Sequence, residues 1–383
     1  MEKIKKKILL VTFEFPPALG GVENYYFNLI NNLSNYEFIV LTIPNEKANS
    51  FDLEQNFKII RENLLSKFNY PKWFKLFKLI KNLIKVESID LIWVGDVLPV
   101  GNAVYLINKL YKIPYFVSTH GIDIMLPQKN KRKEMIMKKI LKNSSFITAN
   151  SKFTLKQIAN IGLNEEKIKL LYPAVTLNPQ QYDITKKDMD ELSNKYNLND
   201  KIILITVSRL VKRKGHETII RILPELLNEI PNLVYLIVGT GTYLSELKKL
   251  VDRLNLNNQV IFLGAVSDQT LATLYKLSKI FIMPAKDIQG DVEGFGIVYL
   301  DANSFGLPVI AGNTGGVKEA VLDNKTGILI DPNNKGELGQ AILKLINDKE
   351  LYSKMSQAGI KHVVLFNWLK QSKILSDLIE KNG

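Results

Sequence analysis

The sequence predicts an α/β protein built from two consecutive doubly wound parallel-sheet domains, and three observations carry that prediction. Short β-branched apolar runs alternate with helical stretches along the chain, the pattern of parallel sheets covered on both faces. The 383 residues exceed what one typical hydrophobic core organises. The alternation breaks once, over 173–200, in a polar, proline-containing stretch rich in Asn and Asp.

The first domain is placed at 1–175. Its strands are expected at KILLVTF (7–13), EFIVLTI (37–43), IDLIWVG (89–95), PYFVSTH (114–120) and SFITANS (145–151). Helices are expected between them, at 22–34, 71–87, 99–111 and 130–142. The opening MEKIKKKILLVTFEFPP imitates an export signal, but its apolar run is short, contains Glu14 and lacks a small-residue cleavage site. It reads as a first buried strand. A linker is expected at 176–200, with one short helix at 187–196. The second domain, 201–365, has strands at KIILITVSR (201–209), NLVYLIVGTG (232–241), QVIFLGAV (259–266), KIFIMPA (279–285), LPVIAG (307–312) and GILIDP (327–332). A closing helix within 366–383, carrying Trp368 and Leu369, is expected to pack back on the first domain.

Composition narrows the function classes. Hydrophobic content of 46% and charged content of 23% are ordinary for a globular protein. With no cysteine there is no disulfide scaffold, thiolate nucleophile or thiolate metal site; a cytoplasmic location fits best. No apolar stretch approaches the roughly 18 to 20 residues that span a bilayer. The net charge of +13 favours anionic partners. Nucleic acid is the weakest of these, since no helix-turn-helix, zinc-finger, RRM or KH pattern is present and the lysines are dispersed.

Ligands of doubly wound sheets bind at the carboxyl ends of the strands, so those loops hold the candidate residues. After the first strand, Gly20-Gly21 opens a helix; the pair either adopts φ > 0 and presents amides to an anion, or simply makes a tight turn. After the fourth come His120 and Asp123, the latter a possible helix cap. In the second domain Arg209 ends an apolar strand and Lys214 precedes a helix, a fork and a point charge suited to a diphosphate. Lys212 and Arg213 read as a solvated basic turn. VGTGTYLSEL has only a partial GxG, weak support for a dinucleotide. FLGAV brings a small-residue strand end, through Val266, towards a flat base.

The stretch GDVEGFGIVYLDANSFGLPVIAGNTGG places Glu293 on a loop, then Gly294, Phe295 and Gly296, then a helix over 297–306 that contains Asp301. The amides at 295–298 can receive phosphate oxygens, and each acid can accept from sugar hydroxyls. Glu293 is alternatively a charge favourable to the helix dipole.

These residues resemble the retaining GT-B glycosyltransferases of family 4, whose signature is E-x(7)-E followed by a small-residue helix and G-x-P-V. GGVEN, STHGID, ANSKFTLKQI, KLLYPAV, SRLVKRKG, VGTGTYLSEL and TGILIDP extend the resemblance over most of the chain. DVEGFGIVYL with PVIAGNTGG looks most like the phosphatidylinositol mannosyltransferase-type members, which use GDP-mannose. The resemblance implies a GT-B fold whose two domains face a cleft, and retaining transfer of a hexose from an NDP-sugar, GDP-mannose favoured and a UDP-sugar possible. It implies that Arg209 and Lys214 hold the donor diphosphate with Gly20 and Gly21 nearby. Asp123, Gly294, Phe295 and Gly296 would line the donor sugar and ribose. Glu293 would contact the transferred sugar, His120 would lie near the reacting carbon, and Val266 would meet the base. The chain departs from the signature at Asp301, where the ribose-contacting acid is one methylene shorter.

No cofactor or metal is implied. The DMD at 188–190 resembles the DxD of metal-dependent transferases but lies in the polar stretch, where it reads as solvated charge. Two basic helices, PKWFKLFKLIKNLIK (71–85) and KNKRKEMIMKKILK (129–142), point to a lipid-linked or saccharide acceptor and to an anionic membrane surface, with Phe74 on the lysine side of the first. A helix with its apolar side on the sheet is the plainer reading. The rivals are a nucleotide-sugar 2-epimerase of the same fold and a non-catalytic sugar-nucleotide-binding protein.

Overall fold

The computed structural model describes residues 5–67 and 70–382. The first residues of the basic start and Gly383, at the end of the expected closing helix, lie outside them. The described residues form two sheets in which every strand pairing is parallel. The first contains β1 (Lys7–Val11), β2 (Glu37–Thr42), β3 (Lys58–Arg61), β4 (Leu91–Val94), β5 (Tyr115–Thr119), β6 (Ile147–Ala149) and β7 (Ile168–Leu170), in the order β3-β2-β1-β4-β5-β6-β7. The second contains β8 (Ile202–Val207), β9 (Leu233–Val238), β10 (Val260–Gly264), β11 (Ile280–Met283), β12 (Val309–Gly312) and β13 (Gly327–Ile330), in the order β10-β9-β8-β11-β12-β13.

The continuous apolar runs have a direct cause. In β1, Ile8 and Leu10 enter one core and Leu9 and Val11 another, and all four are fully buried. A strand covered on both faces cannot alternate polar and apolar residues. The edge strands escape this rule. β3 is KIIR and β7 is IKL, the two ends of the first sheet, short and only partly buried. Neither shows as an apolar run, so both are absent from the five strands expected there.

The chain divides into two compact units, Met1–Pro173 with Trp368–Gly383, and Ala174–Asn367. The polar stretch expected as a linker at 176–200 therefore folds with the second unit. Its helix, Lys186–Lys195, starts on a capping box between Thr185 and Asp188 and packs on the helix Asp268–Leu277. Gln269 Nε2 also donates to the carbonyl of Asp183 at 3.0 Å. The polarity that suggested a linker belongs to an exposed helix, and the first acid of DMD closes its capping box by accepting from Thr185 N. The helix Trp368–Asn382 lies in the first unit, where Leu375 and Ile379 are fully buried in the cluster that contains Tyr25, Leu29 and Phe38.

Both basic helices are in the first unit and bury their apolar sides in one core. Phe74–Glu87 contributes Leu76, Phe77 and Ile80, and Lys131–Asn143 contributes Met137, Ile140 and Leu141. The helix Val100–Tyr111 packs against both. Phe74 stacks on Phe77 at 5.6 Å and carries the Lys78 ammonium 5.2 Å from its ring centroid. No helix among the described residues is long and apolar enough to cross a membrane.

In each sheet the strand order reverses once, between β1 and β4 and between β8 and β11. Crevices for ligands open at such reversals, outside the carboxyl ends of the strands.

Candidate active site

In the second unit the reversal is flanked by the loops after β8 and β11. β8 stops at Val207, so Arg209 does not end a strand as expected. It stands exposed in the loop, with no ion-pair partner among the described residues. The chain then makes a 3-10 turn, Lys212–Lys214, and Gly215 takes φ 82 before the helix His216–Glu229. A Cβ at Gly215 would meet the Pro284 carbonyl, so glycine is needed both for the angle and for the close approach.

This turn drives Lys214 inwards to 7% exposure, where its ammonium bonds Glu293 Oε2. Arg213 follows it. Expected in solvent, Arg213 is instead nearly buried, with Nη1 donating to Glu293 Oε2 at 2.7 Å and Nε 2.8 Å from Asp291 Oδ1. Lys212 is exposed as expected, but Arg213 is not, because the strand ends two residues early and the 3-10 turn rotates residue 213 onto the acids. Burial pushes the Glu293 carboxyl up, but the Lys214 and Arg213 charges outweigh it and hold the group at about 2. Burial pushes the Lys214 pKa down, with Glu293 opposing. Both cations bind Oε2. His216 joins no ligand site: its ring bonds Ser208 Oγ and Tyr235 Oη, each at 3.0 Å, inside the core.

The loop after Glu293 is held by its backbone. The carbonyl of Glu293 accepts from Gly316 N at 2.9 Å, and Gly296, at φ 91, opens the helix Ile297–Ser304 without a side-chain cap. A Cβ at Gly296 would run into the Tyr299 ring. Phe295, expected beside the donor, is 2% exposed and packs on Phe366, so its side chain is a core residue. Asp301 also departs from expectation. Its Oδ1 accepts from Thr176 N at 2.8 Å and Leu177 N at 3.0 Å, and burial pushes its pKa up to about 7 against those two amides. Val266 follows β10, two strands from β8, half-buried. A separate cavity of about 430 Å³ is lined by Asp287, Asn313, Thr314, Asp331 and Glu337 near the ends of β12 and β13, and none of the expected residues reaches it.

In the first unit, Gly20 is extended at φ 174 and Gly21 begins the helix Gly21–Asn31, so of the two alternatives the positive φ is not used. A Cβ at Gly20 would strike the Glu23 carboxylate, which folds back over it. His120 follows β5 and meets Tyr25 and Tyr26 edge-on, its Nε2 2.8 Å from Tyr26 Oη. Tyr26 Oη has one proton and donates it to the carbonyl of Gly95 at 2.7 Å. Its oxygen therefore accepts from His120, which fixes the Nε2–H tautomer and leaves Nδ1 as a base. Burial holds the imidazole at about 4, neutral at ordinary pH.

The sign of the pH effect follows. The unfolded imidazole titrates at 6.5 and the folded one near 4, so the contribution is present above 6.5 and lost as pH falls through the folded value. Replacing His120 by Gln is expected to give a shallower loss of melting temperature between about pH 7 and pH 4 than the wild type shows. Equal slopes would rule out a neutral buried His120.

Asp123 Oδ1 accepts from His120 N at 3.0 Å, which holds the strand-to-helix turn, while its Oδ2 is buried with no partner among the described residues. Burial raises this carboxyl to about 7. Asp96, two residues past the end of β4 at the reversal, escapes the sequence reading. Its Oδ2 accepts from Phe13 N at 2.9 Å, and burial raises its pKa to about 6. A carboxylate two residues after a fully apolar strand was the signal for it.

Residues 19–178 match the family described as Glycosyltransferase Family 4, and residues 188–362 the one described as Glycosyl transferases group 1. The GDP-mannose-dependent alpha-(1-6)-phosphatidylinositol monomannoside mannosyltransferase of Mycolicibacterium smegmatis is 29% identical over 370 residues, 94% of each chain. The GDP-mannose-dependent monoacylated alpha-(1-6)-phosphatidylinositol monomannoside mannosyltransferase of Corynebacterium glutamicum is 28% identical over an alignment of 389, 98% of each. Among solved structures, Anabaena HepE in complex with UDP and glucose has a TM-score of 0.84 at 19% identity, covering 98% of this chain and 100% of that one. Sucrose-phosphate synthase of Thermosynechococcus elongatus has 0.83 at 20%, with 98% and 99% covered. The two solved structures speak for the fold, and the family matches, which together span most of the chain, speak for the chemistry. With the acid-and-cation cluster at the β8/β11 reversal, they identify the chain as a glycosyltransferase of family 4, with the GT-B fold.

Proposed function

We propose that this enzyme moves a hexose of the mannose or glucose type from a nucleoside-diphosphate sugar to a lipid-linked or saccharide acceptor. The transfer retains configuration, requires no metal, and serves glycolipid or cell-surface polysaccharide synthesis. GDP-mannose is the favoured donor, because relatives aligned over nearly their whole length are named as GDP-mannose-dependent. A UDP-sugar is the alternative, since a fold neighbour binds UDP-glucose.

The observation that carries this reading is the Arg213–Lys214–Glu293 cluster beside the exposed Arg209. An ammonium has three N–H groups, Glu293 takes one, and two are left for phosphate oxygens. Lys214 and Arg209 would neutralise the charge that grows on the diphosphate as its bond to the sugar's anomeric carbon breaks. A new bond from that carbon to the acceptor oxygen would form on the same face, and the hydroxyl proton would pass to the departing phosphate. Glu293 Oε1 would accept from a sugar hydroxyl, with Gly294 beside it. His120, Asp123, Gly20 and Gly21 are proposed as further donor contacts.

The acceptor is proposed to be membrane-borne and the enzyme peripheral on the cytoplasmic leaflet. In support, Lys131, Arg132, Lys133, Lys139 and Lys78 are exposed together with Met135 and Phe74 on the two basic helices. The test is one preparation with two readings. GDP-mannose is expected to raise the melting temperature more than UDP-glucose or ADP-glucose, and indifference to all three overturns the donor site. Sedimentation with phosphatidylglycerol vesicles is expected at low salt and lost at high salt; failure to sediment at low salt sinks the membrane reading.

A further inference from the structure

The chain enters the second unit at Ala174 and leaves it at Asn367, and these two crossings lie side by side, Val175 N donating to Phe366 O at 3.3 Å. The stretch from Glu293 to Asp301 is fastened to both. Near its start, the Phe295 ring lies 5.6 Å from Phe366. At its end, Asp301 Oδ1 takes the successive amides of Thr176 and Leu177, and the single Ser304 hydroxyl proton is shared between the Asp301 carbonyl at 2.6 Å and the Leu177 carbonyl at 2.9 Å. Asp301 is 7% exposed and Leu177 3%, so these groups have little access to water.

We propose that Asp301 is a positioning residue: its carboxylate pins the incoming segment 176–177 to the helix behind Glu293, instead of holding the nucleotide ribose. The chemistry of the contact favours this. One carboxylate oxygen has two lone pairs, and two amides already fill those of Oδ1. Both amides would be left unpaired in the interior without it. A glutamate would carry its carboxylate about 1.5 Å further along, past the two amides. The shorter acid at this position is therefore fitted to the backbone that it binds. With the helix pinned at 301 and 304 and the loop at 295, Glu293 sits on a segment fixed on both sides. The pin itself does not depend on the donor-site reading; its consequence for Glu293 does.

Amide hydrogen exchange on the ligand-free protein tests the pin alone. Asp301→Ala is expected to speed exchange at Thr176 and Leu177 about tenfold or more, and Ser304→Ala to speed it less. Unchanged protection in Asp301→Ala overturns the proposal; if that variant does not fold, unchanged protection in Ser304→Ala does so. A second arm compares GDP or UDP, whichever the wild type binds, with its 2′-deoxy form. The penalty for the missing hydroxyl is expected to be the same in wild type and in Asp301→Asn. A penalty that disappears in Asp301→Asn makes the residue a ribose ligand and overturns the proposal. In turnover, Asp301→Asn is expected to lower kcat several-fold with donor KM within about twofold; the reverse split also overturns it. Should neither nucleotide bind, the donor-site reading fails while the exchange arm still decides the pin.

Discussion

Replacing Glu293 by Ala is expected to remove about 3–5 kcal/mol of stability and to abolish transfer, for two separate reasons. The carboxylate is the shared partner of two nearly buried cations, Lys214 and Arg213, so its loss leaves both uncompensated. In a unit of this size that corresponds to roughly 10 °C in melting temperature. A dead alanine variant would then say little about chemistry. Glutamine separates the two effects, because it keeps the volume and an oxygen that accepts from both cations. The expected result for Glu293→Gln is a smaller fall in melting temperature than in Glu293→Ala, since the hydrogen bonds survive while the charge is lost, and turnover down about 100-fold at saturating donor. Turnover within threefold of wild type would remove Glu293 from the site.

Arg209 and Arg213 are expected to respond in opposite ways. Arg209 is exposed without an ion-pair partner among the described residues, so Arg209→Ala should change stability by no more than about 0.5 kcal/mol. Its loss should weaken donor binding by about 10- to 100-fold, the range for a hydrogen bond to a charged group. Arg213→Ala should lower stability by about 3 kcal/mol, since it strips Asp291 and half of the Glu293 pairing. Melting curves and donor titrations of the two variants check this. Equal stability loss, or a larger donor effect from Arg213, would reverse the assignment of the two arginines.

That pair also marks what the sequence makes legible. Buried parallel strands announce themselves because both faces are apolar, so β1, β8, β9 and β11 and the helices between them stand out with small errors at their ends. The edge strands β3 and β7 do not, because half of their surface faces water. Those small end errors matter most in the loops. Ending β8 at Val207 instead of at residue 209 is enough to exchange which arginine is solvated and which is paired. The motif identified Glu293 and Lys214 as important, but not that they bind each other, because an ion pair between residues 79 positions apart has no local signature. Asp301 was visible as an odd residue, yet its partners are backbone amides, which every residue but proline carries and which sequence cannot single out. Asp96 carries no motif of its own, and what distinguishes it, burial and a bond from Phe13 N, arises only when residues 83 positions apart are brought together.

The division of the chain into a continuous second unit and an interrupted first one bears on synthesis. As the polypeptide leaves the ribosome, strands β1 to β7 emerge first, but the helix Trp368–Asn382 arrives only after the whole second unit. Until then the core around Tyr25, Leu29, Tyr36 and Phe38 lacks Leu375 and Ile379. The nascent first unit thus carries an uncovered apolar seam through the translation of everything in between, a period of vulnerability to association with other chains. The second unit has no such delay. Its residues are contiguous, so it can close its core as soon as it clears the exit tunnel, and the first-made half of the protein is the last to be completed.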